Sequence, residues 1–161
     1  QYGSPTLTSY VLAIANEAGF KIPAEPKEKM QAALKGFVAG KYSGYSPVPK
    51  ADLNIRKLAA IEALARENIA DASMLNSIII EPNLWPTSAV IDWLSILRGV
   101  KTIPDRDRRM PEAEQILRSR LNFQGTKMGF STEGTDFLWW LMVSNDVNAV
   151  RLILSRKDYP T

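Results

Sequence analysis

The 161 residues contain neither histidine nor cysteine. That removes imidazole bases, thiolate nucleophiles, disulfides and the usual zinc ligands together. The remaining acid–base groups are carboxylates, and three of them stand close to tryptophan. Asp92 precedes Trp93, while Glu133 and Asp136 precede the pair Trp139-Trp140. Two carboxylates about 5–10 Å apart at the aromatic rim of an α/α barrel could bind and cleave a glycosidic bond. A second account needs no chemistry. Asp136 falls in the first turn of a helix, where the dipole favours a carboxylate, and the tryptophans fill the core. On this account Asp92, at mid-helix, lies on an exposed flank. The second account explains these residues best, and on it none of them carries a catalytic, cofactor-binding or metal-binding role. Tyr42 and Tyr45, in a loop with proline and glycine, form at most a weak contact patch. There is no G-x-S-x-G and no glycine-rich phosphate loop after a strand.

The elements that would position these residues are helices. The hub of the pattern is Gly134–Leu154, in which Phe137 to Val143 are seven consecutive apolar residues. Apolar on every side, this segment should be buried on every side, and it is too short to span a bilayer. Before it, residues 5–20 form a first helix with Thr6 as N-cap and Gly19 as terminator, carrying Leu7, Tyr10, Val11, Ile14 and Ala18 on one face. A second helix, about 26–41, shows Met30, Ala33, Leu34, Phe37 and Val38 at core spacing and is ended by Gly40. A loop at 42–49 precedes a third helix, about 51–68, which buries Leu58, Ile61, Leu64 and Ala65. Asp71 caps a short fourth helix, and Ile78–Ile80 is too brief for a strand. Pro86 opens a fifth helix to Leu97, burying Val90, Trp93, Leu94 and Leu97. A sixth begins within 105–111 and runs to about Leu121, its charges suiting the dipole if Pro111 lies in the first turn. Residues 122–133 read as loop, with a short hairpin through Lys127–Phe130. A last helix, about 146–156, is capped by Asp146.

One domain of this length can bury a proper core. Its hydrophobic content of 45% and charged content of 23% are ordinary for a globular protein. The net charge is +3. Arg106, Arg108, Arg109, Arg118 and Arg120 cluster, but Asp105, Asp107, Glu112 and Glu114 are interleaved with them. A solvated helix end explains this better than a phosphate track, so nucleic acid is not expected as a partner. No signal peptide or membrane-spanning run is present, and the start at Gln1 without Met suggests a segment of a longer polypeptide.

Helix, short turn and helix alternate about four times, in units of roughly 35–48 residues that open alike: PTLTSYVLAI, ADLNIRKLAAI, WPTSAVIDWL and GTDFLWWLM. The expected fold class is all-α, an array of helix pairs with the odd-numbered helices inside and the second and sixth outside.

Four phrases carry a family resemblance: SPTLTSYVLAIANEAGFKIP, ADLNIRKLAAIEAL, IEPNLWPTSAVIDWLSIL and AEQILRSRLNFQGTKMGFSTEGTDFLWWLMVSNDVNAVRLIL. Together they resemble the helical, complement-like thioester domain of bacterial alpha-2-macroglobulin family proteins, in particular the subgroup that lacks the thioester. The opening LTSYVL is similar to the helix downstream of the thioester site in that superfamily. The resemblance implies an α/α toroid, here a partial ring of about four of six helix pairs. It also implies a periplasmic parent, in some cases lipid-anchored, that traps proteases by rearranging after bait cleavage. The thioester motif Cys-x-Glu-Gln is missing from this chain, which therefore takes over no catalytic residue and no cofactor from the family; in relatives the motif lies upstream of the LTSYVL-like helix. The implied role is a structural module of an endopeptidase inhibitor. Its partners would be the neighbouring domains of the parent and, through the parent, target proteases. An α/α-barrel carbohydrate enzyme and a generic helical-repeat scaffold are the alternatives.

Overall fold

The structure is a computed structural model that describes residues 3–124, 127–130 and 145–157. Among these residues six α-helices make the frame: α1 (Pro5–Glu17), α2 (Ala24–Val38), α3 (Leu53–Arg66), α4 (Thr87–Gly99), α5 (Arg106–Ser119) and α6 (Asn145–Lys157). Two 3-10 turns, Ala72–Ser77 and Pro82–Leu84, carry the chain from α3 to α4. One antiparallel hairpin joins β1 (Leu121–Gln124) to β2 (Lys127–Phe130), with Leu121 opposite Phe130 and Gln124 opposite Lys127. The all-α class expected from the sequence is therefore the observed one, and this small hairpin contains the stretch that the sequence marks.

The core is built on α3 and α4, which pack on each other. Helices α1 and α2 lie against α3, and α5 and α6 lie against α4. Ten of the thirteen residues of α4 are buried, from Thr87 to Leu97, so this helix is enclosed almost all round. The sequence reading gives that property to the Trp139-Trp140 segment, of which residues 134–144 lie outside the described residues. Trp93 occupies the centre of α4 and meets Trp85 edge-on, the ring centroids 6.2 Å apart. Leu58, Ile61 and Leu64 of α3 and Leu34 and Phe37 of α2 complete the interior. Burial of each such side chain is worth about 1.5–3 kcal/mol, and this sets the order of packing.

Several boundaries differ from the sequence expectation for local reasons. Ser4, not Thr6, caps α1: its hydroxyl accepts from the Leu7 amide at 3.3 Å, and Pro5 takes the first turn, where no amide is needed. The fourth helix is a 3-10 turn, although Asp71 caps it as expected, accepting from the Ser73 amide at 2.8 Å. Helix α5 does start within the expected 105–111, at Arg106, with Pro111 inside it and Asp107 as the first-turn acid. Asp146 lies within the first turn of α6 instead of preceding it.

The largest correction concerns α1. The apolar face Leu7, Tyr10, Val11 and Ile14 points outward, with Leu7 and Tyr10 about 60% exposed. The helix docks by its other side, through Pro5, Ser9 and Leu12. The Ser9 hydroxyl is satisfied within the helix by the Pro5 carbonyl at 2.8 Å, so this small side chain needs no partner across the interface.

Candidate functional site

A polar cluster joining several helices begins at Asp92. Far from lying on an exposed flank, this residue is 8% exposed, in the middle of α4. Arg151 of α6 donates to its carboxylate. On the neighbouring α3, Glu62 is 3% exposed and accepts from the Nε of Arg66, one turn along, at 2.6 Å. Arg66 also donates to Glu17 at the end of α1. Three carboxylates and two guanidiniums thus tie α1, α3, α4 and α6 together at one junction.

Local structure explains how these groups come together. Glu62 follows Leu58 and Ile61 and precedes Ala65 at i, i+3, i+4 and i+7 spacing, so it occupies a core position of the apolar stripe of α3. Asp92 does the same between Val90 and Trp93 on the enclosed helix α4. Arg66 and Arg151 bring their charges inward along alkyl stems. Taking a carboxylate out of water costs several kcal/mol unless a partner compensates it. Burial, then the charge of Asp92, pushes the Glu62 carboxyl up to about 7, although Arg66 and Arg151 pull the other way. Arg151 is held more firmly protonated, chiefly by Asp92. Burial works to lower the pKa of Arg66, but Glu62 and Glu17 together raise it.

This arrangement is poorly suited to bond cleavage. A glycosidase pair needs two carboxylates facing a sugar and a water across open space. Here Asp92 and Glu62 are buried, and each is engaged by a guanidinium. Glu133, Asp136 and Trp139-Trp140 lie outside the described residues, so Asp92 is the one member of the sequence's acid set that the structure places. Among the described residues, no group of three or more His, Cys, Asp or Glu could hold a metal ion. No described helix is long and apolar enough to cross a membrane.

Two further features are built from arginine. Arg120, at the end of α5, donates to the Trp85 carbonyl at 2.8 Å and the Asn83 carbonyl at 3.1 Å, with Thr87 Oγ1 at 3.4 Å. Arg106 donates to the Leu97 carbonyl, and Arg108 pairs with Glu112 at 3.5 Å. The arginine-rich stretch is therefore engaged by main-chain carbonyls, by its own interleaved acids and, at Arg109, by the Trp93 ring 5.9 Å away. The two loop tyrosines part company: Tyr42 packs on Phe37, ring centroids 6.2 Å apart, while Tyr45 is 88% exposed. They make no common patch.

The sequence reading passes over Glu62, Arg66 and Arg151. The signal available for Glu62 is its place on the apolar stripe of a helix, with Arg66 at i+4. The chain matches no family model, and neither curated proteins nor solved structures give a match.

Proposed function

We propose that this chain is a non-catalytic helical module of a bacterial alpha-2-macroglobulin-like protease inhibitor, a partial α/α toroid that serves as a contact surface within a periplasmic parent. The resemblance of its four phrases to the complement-like thioester domain motivates the reading. The observation that carries it is the outer face of α1. Leu7, Tyr10, Val11 and Ile14 run along one exposed stripe of a helix that has no charged residue from Pro5 to Asn16. A continuous apolar stripe of this kind marks a surface that another element covers. The burial and pairing of Asp92 and Glu62 favour a structural role over the carbohydrate-enzyme alternative, which needs open carboxylates.

The test uses the full polypeptide that contains this segment, incubated with trypsin. Trapping predicts that the protease keeps its activity toward a small chromogenic peptide and loses it toward a large protein substrate. Equal activity on both substrates, with and without the polypeptide, would refute the inhibitor reading. Release of reducing sugar from polysaccharide by the purified chain would favour the enzyme instead.

A further inference from the structure

At the junction of α1, α3, α4 and α6, three carboxylates meet two guanidiniums among the described residues, so one negative charge is left over when every one of these groups is ionised. Glu17 sits at the rim of this cluster, with its side chain 45% exposed. The excess therefore falls on the two inner carboxylates, Glu62 on α3 and Asp92 on α4, whose side chains are 3% and 12% exposed. Each is enclosed because α1 and α6 close over α3 and α4. Asp92 is the one held directly by Arg151, leaving Glu62 to share Arg66 with Glu17.

We infer that Glu62 is a proton-binding switch: it carries a proton when the four helices are packed, and losing that proton leaves two ionised carboxylates buried at the junction and loosens it. Among the described residues, the groups that act on Glu62 are Arg66 on its own helix, Asp92 from α4 and Arg151 from α6, with Glu17 of α1 reaching it through Arg66. In the folded chain its carboxyl ionises near pH 7, against an ordinary value of 4.5. The sign follows from linkage. Between these two values the folded state binds a proton that the unfolded state has released, so stability falls as pH rises through the window. The contribution is fully present below the ordinary value and gone above about 7. With no histidine in the chain, no ordinary side chain titrates in the same range.

The direct experiment counts protons. Unfolding the chain with urea at pH 6 in weak buffer should release about one proton per molecule; release of none would overturn the proposal. The unfolding equilibrium constant should rise on the order of tens of fold between pH 5 and pH 8. Glu62→Gln, which keeps the shape of the protonated acid, should abolish this rise and unfold less readily than the wild type at pH 8. Asp92→Asn, which removes the repelling charge, should move the transition to lower pH. If Glu62→Gln retains the wild-type pH slope, the switch lies elsewhere and the assignment fails. Should that variant not fold, the proton count on the wild-type chain still decides.

Discussion

The Arg56 guanidinium lies 2.8 Å from the carboxylate of Asp52, one helical turn away, and both side chains are closed to solvent. Around this pair the loop before α3 is wound. Arg56 also donates to the Ser43 carbonyl at 2.7 Å and the Pro49 carbonyl at 3.3 Å, and it lies 5.3 Å from the centre of the Phe37 ring. Ser46 donates to the second oxygen of Asp52 and accepts from the Val48 amide at 3.2 Å. One charge pair thus fixes a loop rich in proline to the helix that follows it.

Arg56→Met should therefore destabilise the chain by about 3–5 kcal/mol, because Asp52 is left buried without its main counter-charge. The double variant Asp52→Asn/Arg56→Met should cost less than the sum of the two single changes. A thermodynamic cycle built from urea unfolding measures the difference. Additive costs would mean that the two residues act independently.

The same loop contains a position where only glycine fits. Gly44 has φ +66, and a Cβ built there would lie 2.6 Å from the Pro5 ring. Gly40 is also left-handed, at φ +76, but nothing lies within 4 Å of its added Cβ. Gly40→Ala should cost about 1 kcal/mol, for conformation alone. Gly44→Ala should cost about 1–3 kcal/mol more, because α1 must shift as well. Denaturation midpoints of the two variants give the comparison.

Trp93→Ala should remove about 3–5 kcal/mol through the cavity it leaves in α4. Tyr10→Ala, on the exposed face of α1, should stay within about 0.5 kcal/mol in the isolated chain. In the full polypeptide, Tyr10→Asp should impair association with whatever covers that face while leaving the stability of this chain unchanged. Parallel unfolding of both variants, in isolation and in the parent, reads this out.

Arg120→Met should cost about 1–3 kcal/mol, since two main-chain carbonyls lose a charged donor. Arg120→Lys should recover little of this, because a single ammonium cannot span the acceptors that a planar guanidinium reaches together. The separation of the two variants in a melting experiment tests the geometry, because a role of charge alone predicts full rescue by lysine.

Much of the frame can be read from the residues, and the misses have identifiable physical causes. The 3.6-residue spacing of Leu58, Ile61 and Leu64, and of Val90, Trp93, Leu94 and Leu97, locates the two central helices correctly because core packing and periodicity agree there. In α1 they disagree. The apolar stripe points outward and the smaller side, with Ser9 and Leu12, makes the contact, so amphipathicity alone picks the wrong face. For α5 the residues leave the start open within 105–111, and the helix begins at Arg106, which puts Pro111 inside it. The charge cluster is least legible of all. Glu62, Asp92 and Arg151 are far apart in sequence, and only the crossing of α3, α4 and α6 brings them together. Sequence spacing does mark Asp92 as unusual, but it does not show that a guanidinium meets it.

A chain without cysteine must hold its loops by other means, and arginine takes up that task at Arg56, Arg106 and Arg120. Each grips carbonyl oxygens of a separate segment, and for Arg120 the bridged residues are 35 and 37 positions away. Fastenings of this kind are indifferent to thiols, so a reductant should leave the melting curve where it is. They are vulnerable to a solute of their own shape. Guanidinium ion competes for the same oxygens and also screens the ion pairs, whereas urea does not carry charge. Its advantage over urea, ordinarily about twofold per mole, should accordingly be larger for this protein than for one stapled by disulfides.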